Sequence, residues 1–297
     1  MTLATHRMTL VTNRMTPLST VAETLANGAR TLICCSESPR LDAELLLGKV
    51  LGRARSALIA RGGDPVAADL QRSYADLLAR RLSGAPVAYL TGTREFWSLP
   101  LHVTPAVLVP RPETEVLVEL ALERLPEDQS SSILDLGTGS GAIALAIASE
   151  RPQSRVTGID ISPPALDVAL QNSRDLGVTN IDWRLGSWFD AVPDERFDMI
   201  VANPPYIAAA DPALASLGHE PAIALSPGTT GLEALASIAA NAPSHLHARG
   251  WLIMEHGSDQ ATDVAQLLER HGFTCIRSHL DFSGKPRVTL GTVHIQH

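Results

Sequence analysis

Residues 132–142 read Ser-Ile-Leu-Asp-Leu-Gly-Thr-Gly-Ser-Gly-Ala, a largely apolar run that leads into three glycines at alternate positions. The run has the length and composition of a buried β-strand, and residues 141–150 after it predict a helix. Glycines between a strand and a helix let the backbone turn tightly and let a ligand lie against it without Cβ clashes. The segment therefore predicts a strand, a ligand-binding glycine loop and a helix in direct succession.

The same alternation of strands and helices continues on both sides of this loop. Further strands are predicted at residues 155–160, 181–186, 197–202, 249–255, 273–279 and 287–292, and helices at 112–125, 163–176, 231–247 and 259–271. Strands separated by helices form a parallel, doubly wound sheet with right-handed crossovers. The last two strands are joined by a short loop, so we expect them to pair antiparallel at one edge. The pattern predicts a seven-stranded, Rossmann-like α/β domain.

The N-terminal part of the chain has a different pattern. In residues 17–88 the apolar side chains recur at helical spacing, which predicts a small bundle of four or five short helices. Residues 89–109 are strand-like and interrupted by prolines, which predicts a β-hairpin connector. The predicted domains are therefore the helical domain at 17–88, the connector at 89–109 and the sheet domain at 110–297.

Composition limits the class of protein. The chain has 297 residues, of which 45% are hydrophobic and 19% charged, as in ordinary globular proteins. Residues 1–16 repeat short pieces around Met1, Met8 and Met15 and are interpreted as a disordered leader or as an over-long start, with translation beginning at Met15. No apolar run reaches the ~18–20 residues of a membrane span. The three cysteines favour a reducing, cytoplasmic location, and none of them has metal-site spacing, so no metal is expected.

Charge is distributed unevenly along the chain. The formal net charge is −8, to which residues 1–16 contribute +2, residues 17–88 contribute +2 and residues 89–297 contribute −12. The acidic sheet domain argues against direct binding to nucleic acid through bulk charge. The helical domain could meet a different kind of partner, and the sheet domain suits a cationic ligand.

Asp160 ends the strand that follows the glycine loop in sequence. A carboxylate at that point can accept hydrogen bonds from both hydroxyls of a ribose, so the two features together predict a nucleoside-containing cofactor. Gly137-x-Gly139-x-x-Ala142 also satisfies the dinucleotide fingerprint, which leaves NAD open. The acidic Asp135 before the glycines favours S-adenosylmethionine, whose ammonium and sulfonium groups suit an acidic domain.

Asn203-Pro-Pro-Tyr206 follows the apolar strand 197–202 at the same predicted sheet edge. Proline fixes φ and removes backbone donors, so the carbonyls of Asn203 and Pro204 can face outward in a stiff frame. Together with the Asn203 side-chain oxygen they form acceptors suited to one planar NH₂ group, and Tyr206 can cover its flat face. This frame predicts methylation of an amide or exocyclic amine. A dehydrogenase does not need such a set of acceptors, so the frame argues against an NAD-dependent enzyme.

Amide nitrogens are poor nucleophiles because their lone pair is delocalised. An enzyme that methylates one must hold both N–H bonds and aim the nitrogen at the methyl carbon. Hydrogen bonds that favour the charge-developing nitrogen act more strongly in the transition state than in the ground state. No strong general base is expected, because the nitrogen becomes acidic as it is alkylated.

Several motifs together resemble the HemK/PrmC protein-(glutamine-N(5)) methyltransferases. The matching pieces are Ser38-Pro-Arg-Leu-Asp-Ala-Glu44, Arg94-Glu-Phe-Trp97, Val109-Pro-Arg-Pro-Glu-Thr-Glu115, Asp135-Leu-Gly-Thr-Gly-Ser-Gly141, Asn203-Pro-Pro-Tyr206, Glu220-Pro221, Glu255-His-Gly257 and Arg287-Val-Thr-Leu290. The resemblance covers about residues 17–292. It implies a class I fold that depends on S-adenosylmethionine, preceded by a helical bundle and a hairpin connector.

The resemblance also implies roles for particular residues. Cofactor contacts are expected from Gly137, Thr138, Gly139, Ser140, Gly141, Asp160, Trp188 and Asn203. The acceptor glutamine is expected to bind Asn203, Pro204, Pro205 and Tyr206, of which Asn203, Pro204 and Tyr206 are the expected catalytic residues. The Leu108–Glu115 stretch would border the substrate pocket, although Arg111 and Glu113 could instead only cap the helix that follows.

The family's substrates are peptide chain release factors, methylated on the side-chain amide of the glutamine in a Gly-Gly-Gln loop, and the helical domain would dock them. Glutamine methylation of a large-subunit ribosomal protein, adenine-N(6) methylation of nucleic acid and a non-catalytic nucleoside-binding module remain open alternatives. The chain departs from the family pattern at Ser187, where many relatives have an acidic residue, and at His219, where phenylalanine is common. The first departure puts a contact to the adenine amino group in doubt.

Overall fold

The computed structural model describes residues 19–293 of the chain, which form two compact units divided between Thr91 and Gly92. The leader predicted at residues 1–16 lies outside the described residues. Each unit has its own apolar core.

The first unit is helical, as its apolar spacing predicts. Its helices are α1 (Val21–Leu32), α2 (Pro39–Leu51), α3 (Arg55–Ala60), α4 (Ala68–Leu82) and α5 (Val87–Thr91). Helix α1 begins with a capping box, in which the Thr20 hydroxyl accepts from Glu23 N at 3.2 Å and the Glu23 carboxylate accepts from Thr20 N at 2.9 Å. Leu25, Leu46 and Leu58 are fully or almost fully buried in one core. The prediction of a small helical bundle is confirmed.

Two acidic side chains of α2 face the interior of this unit. Asp42 accepts from Arg81 Nε on α4 at 2.9 Å. Glu44 accepts from Arg40 Nε at 2.6 Å and from Arg55 Nη2 on α3 at 2.8 Å. Burial alone would raise the pKa of Glu44, but the two guanidinium groups outweigh burial and lower it. These ion pairs tie α2 to α3 and α4.

The second unit opens with the antiparallel hairpin β1 (Thr93–Phe96) and β2 (Leu99–His102). Trp97 and Ser98 at its tip have φ of 51° and 59°, as a two-residue turn of type I′ requires. The hairpin is shorter than the predicted 89–109 connector. Residues 87–91 are helical instead, because the carbonyl of Pro86 accepts from the N–H groups of both Tyr89 and Leu90.

Seven strands form the main sheet in the order β5-β4-β3-β6-β7-β9-β8. Their bounds are β3 (Ser132–Leu136), β4 (Arg155–Asp160), β5 (Ile181–Leu185), β6 (Phe197–Ala202), β7 (Leu246–Glu255), β8 (Phe273–Leu280) and β9 (Pro286–Val293). The first five strands in this order are parallel, and β9 pairs antiparallel with both β7 and β8. The predicted seven-stranded sheet and its antiparallel edge are confirmed.

Helices cover both faces of the sheet. The α-helices within residues 92–293 are α6 (Glu115–Leu122), α7 (Ala142–Glu150), α8 (Pro163–Leu176), α9 (Ala213–Ser216), α10 (Glu233–Asn241) and α11 (Ala261–Arg270). Side chains alternate along each strand, so Ile133 packs into the cluster with α6 and α7, whereas Leu134 packs into the cluster with α10 and α11. Both residues are fully buried.

The parallel strands deliver their carboxyl ends to one edge of the sheet. Leu136, Asp160, Leu185, Ala202 and Glu255 are the last residues of β3 to β7. In doubly wound sheets this edge is where ligands bind. Among residues 19–293 no helix combines the length and the apolar character that crossing a membrane requires.

Candidate active site

A cavity of about 420 Å³ lies at the carboxyl edge of the sheet, within the second unit. Its wall takes residues from the loops after β3, β4, β5 and β6, from the segment before α6, and from the segment around the start of α10. The glycine loop, Asp160, Trp188 and Asn203 all contribute to it. The structure thus brings together groups that lie up to 66 residues apart in the sequence.

The glycine loop turns tightly from β3 into α7. The N–H groups of Gly137 and Thr138 both donate to the carbonyl of Ile159 at 2.9 Å, which fixes the loop to β4. Gly139 has φ +57° and a Cβ placed there would meet nothing within 4 Å, so this backbone is open to a ligand. A Cβ on Gly141 would lie 2.9 Å from the Trp183 side chain, so that glycine serves close packing.

Asp160 holds the loop from the end of β4. Its Oδ2 accepts from Gly139 N at 2.8 Å and its Oδ1 accepts from Ser162 N at 2.9 Å. Burial raises the pKa of this carboxyl, although the backbone donors partly oppose the rise. Each carboxylate oxygen has a further lone pair, and Asp160 lies in the cavity wall, so it can also accept from a ligand.

Asp135 is fully buried and lies behind the glycine loop rather than in the cavity wall. Its Oδ2 accepts from the Thr138 hydroxyl at 2.5 Å and from Ala144 N at 3.3 Å. Its Oδ1 has no hydrogen-bond partner among the described residues. Burial raises the pKa of Asp135 to about 7. The residue therefore supports the loop and offers one unused buried acceptor.

Trp188 follows β5 and lies in the cavity wall next to Gly137, whose added Cβ would come within 3.5 Å of the indole. Its φ is 48°, a conformation that a bulky residue adopts only when its surroundings hold it. Ser187, at the position where an acidic residue is common, also lines the cavity. A flat aromatic surface is thus presented next to the glycine loop.

Asn203 and Pro205 line the cavity, and Pro204 between them in sequence is buried. The Asn203 amide nitrogen donates to the Thr114 hydroxyl at 3.2 Å. Tyr206 is outside the cavity wall, and its hydroxyl donates to Glu255 Oε1 at 3.2 Å. The pKa of Tyr206 is raised by burial and by the neighbouring Glu255 carboxylate. In this structure the tyrosine ring supports the frame rather than covering the cavity.

Two buried carboxylates near the cavity have no role in the sequence interpretation. Glu255 accepts from the Thr114 hydroxyl at 2.6 Å, across 141 residues of sequence. Glu220 accepts from Val109 N at 3.0 Å and forms an ion pair with Arg111. Both belong to motifs that carried the family resemblance, which was the available signal, but their partners are distant in sequence.

The remaining candidates near the cavity have distinct positions. Arg111 lines the cavity, and its side chain makes no capping hydrogen bond at the helical turn that follows it, although its backbone carbonyl accepts from Thr114 N at 3.1 Å. Glu113 is half-buried, and its charge contributes to raising the pKa of Glu255. His219 is exposed and lies outside the cavity wall. Among residues 19–293 no three His, Cys, Asp or Glu side chains cluster as metal ligands would.

The sequence and the fold of the second unit match those of a methyltransferase domain. A methyltransferase domain family matches residues 127–276, and the PrmC N-terminal domain family matches residues 23–92. A methyltransferase from Pyrococcus furiosus has a similar fold, with a TM-score of 0.52 at 17% identity, covering 74% of this chain and all of the other. The chain is therefore built around a class I methyltransferase domain.

Sequence relatives are more specific. The release factor glutamine methyltransferase of Salmonella typhimurium is 47% identical over 86% of this chain and 93% of its own length. That of Xylella fastidiosa strain Temecula1 is 48% identical over 85% of this chain and 92% of its own length. The chain belongs to the release factor glutamine methyltransferase family.

Proposed function

We propose that this protein transfers a methyl group from S-adenosylmethionine to the side-chain amide nitrogen of the glutamine in the Gly-Gly-Gln loop of peptide chain release factors. The observation that carries the proposal is the position of Asn203. Its amide lies in the wall of the same cavity as the glycine loop and Asp160, and its nitrogen is engaged by Thr114. The amide oxygen is left to accept from a substrate NH₂ group.

The cavity fits the proposed cofactor on three grounds. The backbone at Gly139 is open, since an added Cβ there would meet no atom within 4 Å. Asp160 in the wall has acceptor capacity for ribose hydroxyls, and Trp188 offers a flat face for adenine. S-adenosylmethionine supplies an electrophilic methyl group when bound and leaves as S-adenosylhomocysteine. We assign cofactor contacts to residues 137–141, Asp160, Trp188 and Asn203.

The chain's own residues bind and orient the acceptor. Asn203 and the backbone of Pro204 accept from the two N–H bonds of the glutamine amide, which directs its nitrogen lone pair at the methyl carbon. Acceptors fixed in advance stabilise the positive charge that develops on nitrogen without reorganising during the reaction. The proton leaves the alkylated nitrogen to water after the N–C bond forms, so no strong base is required.

We also propose that residues 17–88 dock the release factor. The helical unit exposes Ile33 and Ile59 at 67% and Leu41 at 38%, so these apolar side chains are accessible to a protein partner. Leu41→Asp should raise the KM for the release factor with little change in kcat, and an unchanged KM in both Leu41→Asp and Ile59→Asp would contradict docking there.

Free thiols at Cys34, Cys35 and Cys275 support a reducing, cytoplasmic location.

The function is tested by transfer of a labelled methyl group to a purified, unmethylated release factor. The wild-type chain should label the protein, and Asn203→Ala should not. Calorimetry should still detect binding of S-adenosylhomocysteine to Asn203→Ala, because the contacts assigned to the glycine loop, Asp160 and Trp188 remain. Normal labelling by Asn203→Ala would remove Asn203 from the mechanism. Labelling of a ribosomal protein in place of the release factor would favour the sister activity.

A further inference from the structure

Three hydrogen-bonded side chains, those of Glu255, Thr114 and Asn203, form a series from the buried end of β7 to the cavity wall. Glu255 is 1% exposed, and its Oε2 accepts from the Thr114 hydroxyl at 2.6 Å. Thr114 is 4% exposed, and its oxygen accepts from Asn203 Nδ2 at 3.2 Å. Asn203 is partly exposed to the cavity. This hydrogen-bonded series therefore connects a fully buried carboxyl group to the amide that faces the proposed methyl acceptor.

The direction of the hydrogen bonds follows from the chemistry of the partners. An ionised carboxylate can only accept hydrogen bonds, so the Thr114 hydroxyl must donate its single proton to Glu255. The hydroxyl oxygen is then left as an acceptor, and only the NH₂ end of Asn203 can satisfy it. The amide oxygen must consequently point away from Thr114. Among residues 19–293 no hydrogen-bond donor reaches that oxygen.

We propose that Glu255 is a positioning residue that acts through Thr114 to hold the Asn203 amide with its oxygen towards the acceptor nitrogen. An asparagine amide has two orientations of nearly equal shape, and only one presents an acceptor to the substrate NH₂ group. The reverse orientation would place two N–H donors opposite each other. This inference rests on the proposed function for the identity of the acceptor, but not for the orientation of the amide itself.

The direction of the hydrogen bonds in this series depends on whether Glu255 is ionised. The groups around Glu255 influence that ionisation. The Tyr206 hydroxyl donates to Oε1 from the loop after β6, Arg287 approaches from β9, and Glu113 faces it from the turn before α6. His256, next in sequence, is bonded elsewhere, to Gly257 O and the Thr289 hydroxyl. Burial raises the pKa of Glu255 to about 7, and the hydrogen bonds from the Thr114 and Tyr206 hydroxyls partly oppose this rise.

Protonation of Glu255 removes the constraint. A protonated carboxyl can donate to Thr114, whose own proton is then free to reach the Asn203 oxygen. The amide can turn, and its NH₂ group would face the acceptor. The productive orientation is therefore enforced while Glu255 is ionised and released when it is protonated.

The first test compares two replacements of Thr114 in the full-length protein. Thr114→Val keeps the size of the side chain and removes the hydroxyl, and should lower kcat for release factor methylation by about 10 to 100-fold. Thr114→Ser keeps the hydroxyl and should restore kcat to within about threefold of wild type. The KM for S-adenosylmethionine should change less than kcat in both. Equal kcat for wild type and Thr114→Val would overturn the proposal.

The second test needs no acceptor. The side-chain amide resonances of Asn203, assigned by their loss in Asn203→Ala, should shift with pH around a midpoint near pH 7 in wild type. In Glu255→Gln and Thr114→Val this shift should be absent, with thermal unfolding used to select folded variants. A shift that persists in both folded variants, or none in wild type, would overturn the proposal. Failure of wild type to label a release factor would instead contradict only the proposed function.

Discussion

The buried carboxylate of Glu220 accepts a hydrogen bond from the backbone N–H of Val109 at 3.0 Å, across 111 residues of sequence. Its second oxygen forms an ion pair with Arg111. Arg111 and Pro221 both line the cavity, so this one side chain fixes two of its walls against each other. A small cavity assembled from distant loops requires such links, because the loops have no direct hydrogen bonds of a strand ladder.

Removal of this link should destabilise the second unit. Glu220→Ala leaves Val109 N and the Arg111 guanidinium without their acceptor, so we expect the free energy of unfolding to fall by about 2–3 kcal/mol. Urea denaturation measures it. The matched control is Glu123→Ala, which removes the exposed carboxylate of an ion pair with Arg124 and should cost less than about 1 kcal/mol. Equal losses in the two variants would show that Glu220 has no special structural role.

Two tryptophans with left-handed backbone allow a controlled test of the adenine face. Trp188 has φ 48° and lines the cavity, whereas Trp97 has φ 51° at the tip of the β1–β2 hairpin. Trp188→Ala should weaken S-adenosylhomocysteine binding by about 5- to 150-fold, because aromatic stacking on a base contributes about 1–3 kcal/mol. Trp97→Ala should leave the affinity unchanged. Calorimetry that gives the same affinity for Trp188→Ala and wild type would remove the indole from the cofactor site.

Asp135 should make the stability of the ligand-free protein depend on pH. Its folded pKa of about 7 lies above its ordinary value of 3.8, so the unfolded chain loses this proton at lower pH than the folded protein does. Stability from this group is fully present below about pH 4 and is lost as the pH rises towards 7, by at most about 1.4 kcal/mol per pH unit.

Asp135→Asn removes that ionisation while keeping an acceptor for Thr138. The free energy of unfolding of wild type, minus that of Asp135→Asn, should therefore decrease between pH 4 and pH 7 and stay constant above it. Urea denaturation across this range in the absence of ligand gives the difference. A difference that is independent of pH, or that increases with pH, would contradict the raised pKa.

Much of the fold follows from the sequence because strands and helices have their own periodicities. The apolar runs at 132–136 and 197–202 were predicted with the bounds that the structure gives to β3 and β6. The predicted helix 231–247 was too long. It ends at Asn241, Pro243 lies in a short 3₁₀ turn, and β7 starts at Leu246, because proline cannot donate within a continuing helix.

The features of the candidate site also fall into two groups, those that local sequence motifs predict and those that depend on how distant loops pack. The glycine loop, Asp160 and Asn203 are local motifs at strand ends, and the parallel topology brings strand ends together. The pairs Thr114 with Glu255 and Val109 with Glu220 depend instead on how loops pack across the edge of the sheet. No periodicity or spacing encodes such contacts, so the motifs that contain them could be noticed but their partners could not be assigned.

The most direct measurement is mass spectrometry of a release factor incubated with the full-length protein and S-adenosylmethionine. We predict one added methyl group, located on the side-chain nitrogen of the glutamine in the Gly-Gly-Gln loop, and none when that glutamine is replaced by alanine or when the enzyme carries Asn203→Ala. Equal methylation of the intact and alanine-containing release factors, or normal methylation by Asn203→Ala, would contradict the assignment of Asn203 as the residue that holds a glutamine amide.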